Sequence, residues 1–64
     1  MIDGGKVENM KNILLVDDSA LMRRVLCDII NSDERFHVED RAANGLEALD
    51  LLGRKTYDAM VWNC

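Results

Sequence analysis

Apolar residues fall along this chain in three short runs, separated by two stretches of helical spacing. Residues 12–16, Asn-Ile-Leu-Leu-Val, form a continuous run, the pattern of a strand covered on both faces. From Ser19 to Ser32 the apolar positions Leu21, Met22, Val25, Leu26, Ile29 and Ile30 recur at intervals of three and four, with Arg23, Arg24 and Asp28 on the other side; this predicts a helix capped by Ser19. Asn-Ser-Asp-Glu-Arg, 31–35, reads as a turn. Residues 36–42, Phe-His-Val-Glu-Asp-Arg-Ala, roughly alternate and predict a second strand, polar enough for a sheet edge. A second helix begins at Asn44, with Glu47 three positions on completing a capping-box pattern. Leu46, Leu49 and Leu52 give it one apolar stripe, and Gly53 is expected to end it. Residues 57–63, Tyr-Asp-Ala-Met-Val-Trp-Asn, read as a third strand.

Strand, helix, strand, helix, strand implies an α/β layer of parallel strands joined by right-handed crossovers, half of a doubly wound domain. Two expectations follow. A third strand at this position leaves its outer edge bare. A chain of 64 residues is also small enough that only about 60% of its unfolded surface is removed from water on folding. An unprotected edge and open apolar faces are templates for association, so the chain is expected to complete itself as a homodimer or larger assembly. Met60 and Trp62 are the expected interface residues.

Charge and cysteines narrow the function classes. The net charge is −4, and Lys6, Lys11, Arg23, Arg24, Arg35, Arg41, Arg54 and Lys55 are scattered along the sequence, which argues against nucleic-acid binding. No apolar run approaches the roughly eighteen residues of a membrane helix. Residues 1–10 lack the apolar core of a signal peptide and read as a flexible leader jointed at Gly4-Gly5, so a soluble, cytoplasmic protein is expected. Cys27 and Cys64 are too few for a disulfide framework, and their spacing matches no zinc signature. Cys27 is expected to be a buried thiol; Cys64 is terminal and exposed to oxidation. Met10, Met22 and Met60 read as core or leader residues and His37 as an ordinary strand residue. Arg23 and Arg24 read as a solvated face, with contact to a partner domain as the alternative.

The chemistry of interest sits where the first strand stops, at Asp17 and Asp18. In open α/β sheets ligands bind at the carboxyl ends of the strands. Two adjacent carboxylates favour a cation or a proton between them, and Mg²⁺ takes one or two carboxylates together with phosphate and water oxygens. The competing reading is that one of the pair merely caps the following helix.

Three segments carry a resemblance. Ile-Leu-Leu-Val-Asp-Asp-Ser-Ala-Leu-Met-Arg-Arg-Val-Leu (13–26), Ala-Ala-Asn-Gly-Leu-Glu-Ala-Leu-Asp-Leu-Leu (42–52) and Tyr-Asp-Ala-Met-Val (57–61) together resemble the first half of a response-regulator receiver domain. The stretches 16–24 and 44–49 most resemble the receiver that precedes the catalytic domain of chemotaxis protein-glutamate methylesterases. The resemblance implies a flavodoxin-like strand order and residues 11–64 as a truncated receiver of two-component phosphorelay signalling. It further implies a histidine kinase as the partner of the parent family, and Asp17 and Asp18 as the acidic pair that holds Mg²⁺. The family's phosphoacceptor aspartate ends the third strand, five residues beyond the aspartate of the Tyr-Asp pair; counted from Asp58, that position is Asn63. An amide is not the carboxylate nucleophile that forms an acyl phosphate, though its carbonyl oxygen remains a weak metal ligand. The family's hydroxyl and lysine come from later strands, and the methylesterase's catalytic residues would lie beyond Cys64. The expectation is therefore a chain that is not an enzyme and is not phosphorylated, or alternatively a truncated or engineered fragment whose activity is self-assembly. Trp62 is large for a covered strand and is expected to fill space or to pack against a partner subunit.

Overall fold

The structure, a computed structural model, describes residues 10–63. The expected leader, apart from Met10, and Cys64 lie outside the described residues. The element order is β1 (Lys11–Asp17), α1 (Ala20–Asn31), β2 (Phe36–Ala42), α2 (Gly45–Arg54) and β3 (Ala59–Asn63). The strands form one parallel sheet in the order β2-β1-β3, the α/β arrangement of half a flavodoxin-like fold. β1 is central, which explains its unbroken apolar run: Ile13, Leu14, Leu15 and Val16 are all buried. Two right-handed crossovers leaving β1 and β2 in opposite directions place the helices on opposite faces of the sheet.

Both helix starts form as the sequence predicts. The Ser19 hydroxyl accepts the Met22 N–H at 3.2 Å, and the Asn44 side chain accepts the Glu47 N–H at 2.9 Å. Glu47 reaches back to the Ala43 N–H at 2.7 Å, so the capping box closes one residue earlier than the ideal pattern.

Elsewhere the structure corrects the sequence reading. Gly53 does not end α2, which runs to Arg54; Gly53 has no left-handed φ, so the glycine-dependent stop is not used. The stripe Leu46, Leu49, Leu52 is exposed, while Ala48 is fully buried and Leu51 packs beside it. A methyl side chain lets the helix sit close to the sheet, and the flanking leucines then point outward. Ala48 joins Leu14, Val16 and Ala42 in the core cluster, with Leu51 and Tyr57 against it. Met22 and Met60 are exposed rather than core, and Cys27 is half-buried rather than enclosed. β3 begins at Ala59, not Tyr57, and all five of its residues are exposed.

Register is set by side chains as well as by the ladder. Asp58 clamps the start of β1: its N–H donates to the Asn12 carbonyl at 2.8 Å and its carboxylate accepts the Asn12 N–H at 2.7 Å. β3 then pairs from Ile13 opposite Ala59 to Asp17 opposite Asn63. On the other side the β1–β2 register slips between Ile13 and Leu14, passing from Val38 to Asp40. The Asn31 side chain carbonyl accepts the Val38 N–H at 2.8 Å, tying the end of α1 to β2 next to that irregularity.

Candidate functional site

Among the described residues Asp17 is the one charged residue in the buried core, 2% exposed. A buried carboxylate is costly unless its oxygens are hydrogen-bonded, and each oxygen of Asp17 has a donor. The Ser19 N–H donates to Oδ1 at 2.9 Å, a tight turn that the Asp-Asp-Ser order makes locally. The Asn63 amide Nδ2 donates to Oδ2 at 2.7 Å from the neighbouring strand. These donors, Asn63 foremost and then Ser19, hold the Asp17 carboxyl below the ordinary aspartate range against the upward push of burial.

Asp18 and Asn63 are exposed. Both line a small hollow of about 190 Å³ together with Val16, Ala43, Asn44, Gly45 and Trp62. The structure thus brings Asp17, Asp18 and Asn63 together at the carboxyl end of the sheet. Trp62 lies on the α2 face of β3, opposite Val16. It is half-exposed, and its indole edge approaches the start of α2 so closely that a Cβ on Gly45 would stand 3.1 Å from Trp62 Cη2. Gly45 thus lies in close contact with the indole.

Sequence reasoning missed the contribution of Arg23. It is half-buried, and its guanidinium Nη1 donates to the Asp17 carbonyl at 2.8 Å, holding the end of β1 from α1. The i, i+4 spacing from Ser19 to Arg23, one helical turn past the cap, was the available signal. His37 stays an ordinary strand residue, 3.2 Å from Glu39.

A divalent cation suits this donor set chemically, since hard cations take carboxylate and carbonyl oxygens. The arrangement fits one poorly. Both Asp17 oxygens already accept N–H groups, and no buried side-chain polar atom among the described residues lacks a partner. Nor do the described residues hold a group of three or more His, Cys, Asp or Glu positioned to bind a metal. The Asn63 amide already donates to Asp17 Oδ2, an oxygen that a cation would need.

Comparison with known proteins places the chain. It is 43% identical over 51 residues to a protein-glutamate methylesterase/protein-glutamine glutaminase of Syntrophomonas wolfei, a match that covers 80% of this chain and 14% of that relative. It is 52% identical over 40 residues to the corresponding protein of Pyrococcus horikoshii, 62% of this chain and 11% of the relative. It is 46% identical over 48 residues to the chemotaxis protein CheY of Halobacterium salinarum, 75% of this chain and 37% of the relative. The chain is a relative of the response-regulator receivers. It spans only a small part of the methylesterases it matches and just over a third of CheY, so the activities for which those proteins are named belong to them. No family profile matches the chain, and no solved structure does. Among the described residues no helix is long and apolar enough to cross a membrane.

Asp17 ends the first strand with Asp18 just after it, Asn63 closes the third, and register makes Asp17 and Asn63 direct neighbours.

Proposed function

We propose that this chain is a receiver-type module of chemotaxis signalling whose carboxylate cradle is held shut by its own amide and does not accept a phosphoryl group. The carrying observation is the 2.7 Å bond from Asn63 Nδ2 to Asp17 Oδ2. A receiver site works by holding a cation between carboxylates and offering one of them as nucleophile. Here the third-strand position offers an amide, whose nitrogen has no free lone pair to attack phosphorus and whose oxygen is a poor nucleophile. The N–H supplies the positive end that a metal would otherwise bring to Asp17. Mg²⁺ binding at Asp17, Asp18 and the Asn63 carbonyl is then weak, because it must displace that N–H. A histidine kinase of the parent family would be met as a docking partner rather than as a phosphoryl donor. Incubation with a small phosphodonor and Mg²⁺, followed by intact mass, tests this directly. The expected result is an unchanged mass; a gain of one phosphoryl group on the chain overturns the reading.

A second reading is favoured by β3. All five of its residues are exposed, Met60 and Trp62 among them, and among the described residues no strand pairs with its outer edge. Backbone groups along such an edge are satisfied by water or by another strand. Pairing of two copies through β3 would satisfy them and cover Met60 and Trp62. Sedimentation across a wide concentration range decides this: dimerisation is expected, weakened in Trp62→Lys, and a monomer at every concentration rules it out.

A further inference from the structure

The arginines that are scattered in the sequence are not scattered in space. Arg23 and Arg24 from the first turns of α1 and Arg41 from the end of β2 line one hollow of about 400 Å³, with Ala20, Ala43 and Glu47 completing its wall. Arg41 and Ala42 are consecutive in β2 and so point to opposite faces. Ala42 enters the core under α2, which sends Arg41 to the α1 face. We infer that this hollow, lined by three arginines beside the aspartate cradle, is an oxyanion-binding site, for a phosphate or a dicarboxylate.

The charges around the hollow are only partly used within the protein. Arg41 has no ion pair or side-chain hydrogen bond among the described residues. Arg24 faces Asp28 at 3.9 Å with both side chains largely exposed, a pairing that contributes little in water. Arg23 spends one N–H on the Asp17 carbonyl, which fixes its guanidinium at the rim without neutralising it. Glu47 is the one acidic wall residue, and its Oε1 is engaged by the Ala43 N–H. Three arginines against one wall carboxylate leave a local excess of positive charge that favours an oxyanion, which guanidinium groups bind through paired N–H···O bonds. On a chain of net charge −4, such a concentration of positive charge is local.

The test is an NMR titration of the ¹⁵N-labelled 64-residue chain with inorganic phosphate and, separately, with succinate, at constant ionic strength. Saturable amide shifts confined to residues 20–24 and 41–47 are expected with at least one of the two, and which one binds names the ligand class. Arg41→Gln removes a side chain with no internal partner, so the fold persists; it is expected to weaken binding about tenfold, the loss of one charge-assisted hydrogen bond. Arg24→Gln weakens it as well, whereas Arg54→Gln at the far end of α2 leaves it unchanged. Shifts spread over the whole chain, or affinity equal in wild type, Arg41→Gln and Arg24→Gln, or an equal loss in Arg54→Gln, overturn the proposal. Phosphorylation of the chain bears on the cradle and leaves this result untouched.

Discussion

Asn63 donates its side-chain amide to the buried carboxylate of Asp17 at 2.7 Å, across adjacent parallel strands and 46 residues of sequence. The pairing makes the cradle self-sufficient, and it is the contact on which the proposed inactivity toward phosphoryl groups depends. Asn63→Ala removes the largest influence holding the Asp17 carboxyl down and leaves one oxygen without its protein donor. The Asp17 pKa, followed by carbon NMR, is expected to rise, with a fall in Tm of about 5 °C for a domain of this size. Asn63→Asp places three carboxylates together and is expected to destabilise the metal-free chain further, with Tm recovered by Mg²⁺ but not by the same ionic strength of NaCl. Indifference of the Asn63→Asp variant to Mg²⁺ would show that the cradle cannot be reopened.

Acid is expected to unfold the chain through a definable window. Asp17 is held below 3.8 by Asn63 and Ser19, Asp40 by the Tyr57 hydroxyl and Lys55, and Asp33 is lowered to about 2 by Arg35. A carboxyl whose folded pKa is depressed contributes stability that is fully present above the unfolded value and is lost as pH falls through the folded one. Thermal midpoints should therefore be flat above the ordinary aspartate value of 3.8 and fall as pH drops from there toward about 2. At the alkaline end Tyr57 is raised by burial and by its bond to Asp40, so its contribution is present below the ordinary value of 10.0 and lost above it. A midpoint independent of pH through the acid window would contradict all three carboxyl assignments.

The bond from Val38 N–H to Asn31 joins the end of α1 to the edge strand beside the register slip. Val38 is buried, so Asn31→Ala leaves its N–H without that acceptor and is expected to cost about 1 kcal/mol. Amide exchange should accelerate first at Val38. Urea unfolding with an unchanged midpoint would mean that water replaces the side chain without loss.

Gly45 and Trp62 test whether the space at the mouth of the cradle is adjustable. Gly45→Ala brings a methyl within 3.1 Å of the indole edge, but Trp62 is half-exposed and can swing outward. Gly45 is the first residue of the helix, so replacing it gains less than the roughly 0.5–1 kcal/mol of an interior glycine, and the variant is expected to be near neutral, with tryptophan emission shifted to the red. Loss of stability with unchanged emission would show the indole to be fixed in place.

Much of the architecture was legible in order. The unbroken run Ile13–Val16 marked a strand buried on both faces, the alternation over 36–42 marked an edge, and Ser19 and Asn44 marked the helix starts. These signals are local: burial on two faces, periodicity and capping each act within a few residues. Asp17 and Asp18 stood out as a carboxylate pair at the end of a strand, but helix capping competed with a cation site until the receiver resemblance tipped the reading, and the position of Asn63 followed from counting along the third strand within that resemblance.

What the sequence could not express was which way each surface faces and which charges meet. Periodicity alone ranks Leu46, Leu49 and Leu52 above Ala48 as core, yet Ala48 is buried because close approach of a helix to a sheet favours the smallest side chain. Arg23, Arg24 and Arg41 look dispersed until α1 and β2 fold side by side. Asp17 and Asn63 meet because the β1–β3 ladder, fixed at its start by Asp58 against Asn12, sets them side by side. The sequence by itself determined the elements and their chemistry, through interactions reaching a turn or a pleat. The tertiary structure decided the register and the facing surfaces, because those depend on contacts between residues tens of positions apart that no local pattern encodes.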